Sequence, residues 1–131
     1  MKNVLIIDDD PFVTDLLAEL LKTEGIKCTT ANSIESVLKD WAGLANYSVI
    51  LLDIMMMRDG LQDETDPKLE SGEILFKKIR QSFPKKHVVI ISAKDIGSMA
   101  IDFKHEPNVD IIQKPLDEKD FFDLLKVIKN I

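Results

Sequence analysis

Residues 49–53 read Val-Ile-Leu-Leu-Asp, an apolar run that ends on a carboxylate. An uninterrupted apolar run of this length is typical of a strand buried on both faces, as strands are in parallel α/β sheets. Its last residue, Asp53, then lies at the carboxyl edge of the sheet, where open α/β sheets bind their ligands. The stretch therefore predicts both the fold class and the place of a functional site.

Two other segments repeat this pattern of an apolar run that ends on polar side chains. Residues 4–7 run into Asp8, Asp9 and Asp10, and residues 88–91 run into Ser92. Because the carboxyl ends of parallel strands meet at one edge of a sheet, we expect these side chains to lie near Asp53. Two further strands are predicted at about residues 26–31 and 110–113.

Segments with helical periodicity alternate with the five predicted strands. Asp10-Pro11 is typical of a helix cap and first residue, and Asn32 with Glu35 three residues later resembles a capping box. The other three helical segments are marked by Gly72, by a weak stretch at about residues 96–105, and by a cap at Asp117. Strands separated in this way require right-handed parallel crossovers. The predicted fold class is therefore α/β, with a doubly wound five-stranded parallel sheet and five helices.

Length and composition limit the possible functions. A chain of 131 residues has room for one domain, so residues 1–131 are predicted to form a single unit. No apolar run approaches the roughly 20 residues that cross a bilayer, and no signal-peptide pattern precedes the first strand. The single Cys28 fits a reducing compartment, so we expect a cytoplasmic protein. The net charge of -6 argues against nucleic acid and favours proteins or cations as partners.

The predicted carboxyl edge of the sheet carries the candidate chemistry. Carboxylates crowded together repel and raise each other's pKa unless a cation lies among them. Asp8, Asp9 and Asp53 are therefore candidate ligands of Mg²⁺, which binds through a few carboxylates and keeps several waters. Lys114, after the fifth strand, would add a positive charge, and Ser92 a hydroxyl. Together these groups describe a phosphoryl acceptor, and we interpret Asp53 as the residue that forms an aspartyl-phosphate.

At these residues the sequence resembles the receiver domain of two-component response regulators. Four motifs carry the resemblance: Asp8-Asp9-Asp10-Pro11, Leu51-Leu52-Asp53-Ile54-Met55-Met56, Ile90-Ile91-Ser92-Ala93 and Lys114-Pro115. The resemblance implies a flavodoxin-like strand order of 2-1-3-4-5 and a cis proline after Lys114. It also implies Mg²⁺ held by Asp8, Asp9, Asp53 and the Met55 carbonyl. The expected phosphate donor is a phosphohistidine on a sensor histidine kinase or a phosphotransfer protein.

Three features depart from the pattern of that family. Met57 stands where a proline is usual, and residues 58–71 contain an insertion of about ten residues, which is unusual for a structureless loop unless it is functional. Ile111 stands where an aromatic residue usually forms part of the switch, which puts the usual output face in question. No output domain follows residue 131, so we expect either a stand-alone receiver or a piece of a longer protein, with an unknown output partner.

Three other functions are alternatives to a phosphate-controlled signalling domain. The main alternative is a pseudo-receiver, an interaction module that keeps the fold and works without phosphate. An aspartate-nucleophile phosphatase would need a second acid where Met55 stands, and a flavodoxin-like cofactor binder would need a first loop that is not acidic. We therefore expect a domain that catalyses only its own phosphorylation and dephosphorylation. Exposure of Phe122 on the last helix would mark a dimer or partner surface.

Overall fold

The structure, a computed structural model, describes residues 2–57 and 68–131. In the described chain, five parallel strands form one sheet with the order β2-β1-β3-β4-β5. The strands are β1 (Asn3–Ile7), β2 (Lys27–Ala31), β3 (Val49–Asp53), β4 (His87–Ser92) and β5 (Val109–Gln113). This confirms the predicted fold class and the predicted strand order.

The described residues also form four α-helices and three short 3-10 segments. The α-helices are α1 (Pro11–Thr23), α2 (Ile34–Lys39), α3 (Ser71–Ser82) and α4 (Glu118–Asn130). The 3-10 segments are Trp41–Asn46, Ile96–Ser98 and Phe103–His105. Among the helices that the structure describes, none is long and apolar enough to cross a membrane.

The central strand β3 explains why its sequence is apolar without interruption. It pairs with β1 on one side and with β4 on the other, and all of its residues are buried. Ile50 and Leu52 pack into the core on the side of α2 and α3, whereas Val49 and Leu51 pack into the core on the side of α1 and α4. The sheet is therefore covered on both faces, and polar groups are placed at its edges.

Two of the predicted helix caps are confirmed. The side chain of Asp10 accepts a hydrogen bond from the Phe12 N–H, and Pro11 is the first residue of α1. Asp117 and Asp120 form a reciprocal capping box at the start of α4. Because Asp10 supplies the cap of α1, the neighbouring Asp8 and Asp9 are not needed for it.

The predicted cap of the second helix was wrong. Ser33, not Asn32, caps α2, because its hydroxyl accepts the Ser36 N–H at 3.1 Å. The amide of Asn32 instead donates to groups on β1 and α1, and that tertiary contact competes with capping. The α-helix ends at Lys39, and the 3-10 segment Trp41–Asn46 continues the chain.

The start of α3 lies directly against the chain that leaves β3. Helix α3 begins at Ser71, one residue before the predicted Gly72, and Glu70 caps it in a box with Glu73. A Cβ atom on Gly72 would lie 2.4 Å from the Ile54 Cα, so glycine is required for this close approach. Of the predicted insertion at 58–71, residues 58–67 lie outside the described residues.

The weak helix predicted at about residues 96–105 does not form as one α-helix. Two 3-10 segments replace it, and Asp95 accepts the Gly97 N–H in a local turn that competes with helix formation. The apolar residues of the segment still pack on the core, and the Phe103 ring meets the Phe76 ring edge-on at 5.0 Å. The fourth of the five helical segments is thus present only as these two short turns.

Candidate functional site

The carboxyl edge of the sheet brings three aspartates together. Asp8 follows β1 directly and Asp53 ends β3, and these neighbouring strands pair in register at Ile7 and Leu52. One oxygen atom from each of Asp8, Asp9 and Asp53 lies within 4.8 Å of the other two. The spatial cluster expected from three separate sequence motifs therefore exists in the folded chain.

The Asp53 carboxylate is nearly enclosed, with a side chain that is 7% exposed. The pKa of Asp53 is raised to about 6. Burial is the largest cause, the negative charges of Asp8 and Asp9 act in the same direction, and the positive charge of Lys114 partly opposes them. The Met55 N–H also favours the charged carboxylate, through a hydrogen bond to Oδ1 at 3.3 Å. Repulsion between carboxylates was expected from the sequence, but burial is the larger cause.

Lys114 is the cation of this cluster. Its Nζ lies 2.8 Å from Asp8 Oδ2 and 3.8 Å from Asp53 Oδ1, so its direct hydrogen bond is to Asp8. Burial by itself lowers the pKa of Lys114, but the bond to Asp8 and the charges of Asp53 and Asp8 raise it above its ordinary value. The peptide bond from Lys114 to Pro115 is cis, as the resemblance implied.

The remaining oxygens of the cluster orient the surrounding loops. Asp8 Oδ1 accepts the Asp10 N–H at 3.0 Å, and Asp9 Oδ2 accepts the Met57 N–H at 3.2 Å. Asp9 thereby joins the loop after β1 to the loop after β3. Among the described residues, three carboxylates face one lysine, so negative charge is in excess there among hard oxygen donors. This donor set fits a divalent cation such as Mg²⁺.

Ser92 and Met55 are the two predicted site residues with less direct contacts. Ser92 is fully buried at the end of β4, where its hydroxyl donates to the Lys94 carbonyl and accepts the Lys94 N–H, each at 3.0 Å. The bonds described for this hydroxyl thus stay within its own turn and do not reach Asp53. For Met55, the described bond to Asp53 involves its N–H, and the role predicted for its carbonyl stays a prediction.

Sequence reasoning missed Asn32 and Thr14 as part of this edge. The Asn32 Nδ2 donates to the Asp8 carbonyl at 2.9 Å and to the Thr14 hydroxyl at 3.0 Å. Thr14 is fully buried, and its hydroxyl also contacts the Pro11 carbonyl. The available signal was the position of Asn32 directly after β2, at the same sheet edge as Asp8.

An apolar groove between α1 and α4 borders the cluster. Phe12 and Phe122 line it with 75% and 62% of their surface exposed, and Lys114 lies at its margin. Leu16 and Leu20 continue the exposed apolar face along α1. Phe122 therefore has the exposure that is expected of a dimer or partner surface.

Comparisons with known proteins agree with this geometry. The family model for the response regulator receiver domain matches residues 4–126. The chain therefore belongs to the response regulator receiver domain family, the regulators of two-component systems. Two curated relatives are similar to parts of this chain. One is the two-component response regulator PprB of Pseudomonas aeruginosa, 37% identical over 57 residues, which are 44% of this chain and 21% of that protein.

The second relative is the transcriptional regulatory protein CpxR homolog of Haemophilus influenzae, 37% identical over 81 residues. That match covers 62% of this chain and 30% of the relative. Across the three curated relatives that it matches, the chain spans between 21% and 30% of their length. The similarity therefore does not indicate that this chain has the activities of the full-length relatives.

Solved structures show the same fold. The response regulator TrrA of Thermotoga maritima, crystallised with Mg(2+)-BeF, has a TM-score of 0.70 at 23% identity, over 97% of this chain and 99% of that one. In a second crystal structure, TrrA is in complex with the histidine kinase ThkA, and the TM-score is 0.72 at 23% identity, over 98% of each chain. Identities at this level support the fold alone.

Proposed function

We propose that the chain accepts a phosphoryl group on Asp53 from a phosphohistidine and thereby switches its interaction with a partner. The observation that carries the proposal is a nearly buried carboxylate held between Lys114 and two further aspartates. We include in it a single receiver domain over residues 1–131 with an extended loop at about 58–71. Because phosphohistidine is formed from ATP, we place the reaction in the cytoplasm.

The metal in this proposal is Mg²⁺, held by Asp8, Asp9, Asp53 and the Met55 carbonyl. When bound, the ion would offset the negative charge that develops on the transferred phosphoryl oxygens. The side chains themselves support this role, since three carboxylate oxygens converge and the pKa of Asp53 is raised to about 6. A carboxylate that is costly to ionise without a cation is more readily ionised with one.

The transfer step places Asp53 as the nucleophile. One Asp53 carboxylate oxygen attacks the phosphorus, the new O–P bond forms, and the P–N bond to the donor imidazole breaks with its electron pair going to nitrogen. Lys114, already charged and 3.8 Å from Asp53 Oδ1, then pairs with the phosphoryl oxygens. Exclusion of water by the enclosing side chains preserves the acyl phosphate against rapid hydrolysis.

The reporting step involves Ser92 and Lys114. A phosphoryl group on Asp53 offers acceptor oxygens to the Ser92 hydroxyl, which in the free protein donates to the Lys94 carbonyl. Exchange of one acceptor for the other moves the turn after β4, and a partner that binds one arrangement more tightly shifts the equilibrium. The chain in this proposal is a switch rather than an enzyme acting on other substrates.

The donor protein is proposed to dock on the apolar groove between α1 and α4. That groove exposes Phe12, Leu16 and Phe122 and ends beside Lys114, so a partner seated there can present a phosphohistidine to Asp53. The structural relative TrrA is known in complex with the histidine kinase ThkA, which makes a histidine kinase the favoured class of partner. Neither nucleic acid nor membrane is included as a direct partner.

Two observations favour a second candidate, a pseudo-receiver that works without phosphate. Ser92 is satisfied within its own turn, and Ile111 supplies no aromatic ring to move with it. In that case the acidic cluster would be present in the folded chain but would take no part in phosphoryl transfer. The two candidates differ in whether Asp53 becomes phosphorylated at all.

The deciding experiment is the intact mass of the protein after incubation with acetyl phosphate, with Mg²⁺ or with a chelator. We expect one added phosphate that requires Mg²⁺ and is lost in Asp53→Asn. Asp10→Asn is the matched control, because Asp10 belongs to the same acidic run but caps α1, so it should label like wild type. Labelling that persists in Asp53→Asn would refute the acceptor assignment. No labelling by acetyl phosphate or by a histidine kinase would favour the pseudo-receiver.

A further inference from the structure

The N-terminus of α3 is contacted by both chain segments that leave the candidate site. After Asp53, the Ile54 carbonyl accepts the Gly72 N–H at 2.8 Å, and the Met56 N–H donates to the Ser71 hydroxyl at 2.9 Å. After Ser92, Lys94 Nζ lies 3.0 Å from Glu70 Oε1. Residues 70–73 therefore connect the strand that carries the acceptor with the turn that carries the reporting hydroxyl.

The turn after β4 is held from two sides. The Ser92 hydroxyl and the Lys94 backbone exchange two hydrogen bonds, and the Gln113 side chain donates to the carbonyls of Ser92 and Lys94 at 2.9 and 3.2 Å. A Ser92 hydroxyl that donates to a phosphate on Asp53 must release the Lys94 carbonyl. Every bond that fixes Lys94 in place therefore opposes that release.

The ion pair between Lys94 and Glu70 is held in place by burial of both side chains and by hydrogen bonds at the start of α3. Both side chains are about two-thirds buried, with 34% and 31% exposed. The Glu70 backbone is fixed because its N–H donates to Glu73 Oε1 at 3.0 Å. Glu73 is fully buried, and its Oε2 accepts the Ile101 N–H at 2.8 Å, so the same helix end holds the chain at both Lys94 and Ile101.

In the described chain, the connection between β4 and β5 and the side chain of Ile111 offer little structure that could carry a signal away from this turn. Two 3-10 segments replace a full helix between β4 and β5, and Ile111 on β5 is an aliphatic residue packed against the core. By contrast, four residues at the start of α3 contact the segments after β3 and β4 through hydrogen bonds and an ion pair. Movement of the turn is thus mechanically tied to α3.

We propose that the Lys94–Glu70 ion pair is a latch that keeps the Ser92 turn in its phosphate-free arrangement, with Glu70 as a positioning residue. Phosphorylation of Asp53 opens the latch and is reported at the N-terminus of α3. The inference rests on the proposed function through the role of Ser92. It assigns the output of this receiver to the start of α3 instead of the face beside β5.

Amide hydrogen exchange of the metal-free, unphosphorylated full chain tests the latch directly. Glu70→Gln and Lys94→Gln should each speed exchange of the Lys94 and Ile101 amides about threefold, the range expected for a partly buried ion pair. The double variant should match either single variant, because the pair is already broken. Lys104→Gln is the control: it removes an exposed charge from the same connection and should leave these amides unchanged.

The second measurement compares labelling by acetyl phosphate and amide exchange after labelling. With the latch removed, Asp53 should label about threefold faster or hold its phosphate about threefold longer, since less of the switching cost remains. In wild type, labelling should change exchange at residues 70–73. Unchanged exchange in both single variants, or additive effects in the double variant, would overturn the latch. Failure of wild type to label would instead count against the proposed function, while exchange in the unlabelled protein still decides the latch.

Discussion

The two edges of the sheet treat charged side chains in opposite ways. At the amino edge, Arg80 donates to the carbonyls of Pro84, Lys86 and Pro107 at 3.1, 2.7 and 3.1 Å. Lys86 at the same edge donates to the carbonyls of Ala45 and Tyr47. At the carboxyl edge, three aspartates crowd around one lysine, and the pKa of Asp53 is raised to about 6.

The contrast distinguishes charged side chains that stabilise the fold from charged side chains that are available for chemistry. The two terminal nitrogens of the Arg80 guanidinium donate to neutral carbonyl oxygens, and these bonds tie together the connections that precede β4 and β5. Carboxylates that face one another repel. This repulsion is reduced when a cation binds among them or when one carboxylate is replaced by a neutral group. Charge at the first edge is expected to stabilise the fold, and charge at the second to cost stability in exchange for chemistry.

The largest expected effect is at the amino edge. Arg80→Met should lower the free energy of unfolding by about 3 kcal/mol, because three charge-assisted bonds to carbonyls are lost together with the stacking of Arg80 over the Phe76 ring. Urea unfolding measures the loss. The affinity for Mg²⁺, measured calorimetrically, should not change, since the sites lie at opposite edges.

Lys77→Met serves as the matched control for Arg80→Met. It removes an exposed cation from the same helix and should change stability by less than about 0.5 kcal/mol. If Arg80→Met were as mild as this control, the carbonyl contacts would contribute nothing and the comparison of the two edges would fail.

A smaller effect of opposite sign is expected at Asp53. In chelator, Asp53→Asn should stabilise the protein by about 2 kcal/mol at pH 8, near the upper limit of about 3 kcal/mol set by a pKa raised from 3.8 to about 6. The folded state holds its proton more tightly than the unfolded state, so wild type is relatively most stable below pH 3.8. The free energy of unfolding of wild type then falls relative to that of the variant as the pH rises from 3.8 through about 6.

Urea unfolding at several pH values measures this difference. Asp15→Asn, which neutralises an exposed carboxylate on α1, is the control and should change stability at pH 8 by less than about 0.5 kcal/mol. A variant at Asp53 that is less stable than wild type at pH 8 in chelator would mean that the carboxylate is stabilised by its surroundings, contrary to its proposed availability for chemistry.

The sequence predicts the acidic edge better than it predicts the details around it. Apolar runs that end at Asp8, Asp53 and Ser92 define parallel strands, and the geometry of a parallel sheet then places their ends together. The bond from Asn32 to the Asp8 carbonyl was not predictable, because Asn32 chooses between a local cap and a tertiary acceptor that exists only after folding. The same competition decided the turns of residues 96–105.

The smallest effect concerns a buried carboxylate that, unlike Asp53, is fully satisfied. Glu73 is 1% exposed, and its two oxygens accept the Glu70 and Ile101 N–H groups. In Glu73→Gln one oxygen becomes an NH₂ group that faces a donor, so we expect a loss of 1–2 kcal/mol at about neutral pH. Differential exchange should locate the loss at the Ile101 or Glu70 amide.

Glu118→Gln, which removes an exposed carboxylate from the first turn of α4, controls for the interaction of negative charge with a helix N-terminus. It should change stability by less than about 0.5 kcal/mol. If Glu73→Gln instead stabilised the protein, as expected for Asp53→Asn, burial alone would make a carboxylate costly in this fold. The number of N–H donors would then not explain why a buried carboxylate stabilises the fold at Glu73, which holds α3 in place, and destabilises it at Asp53, which is left available for phosphate.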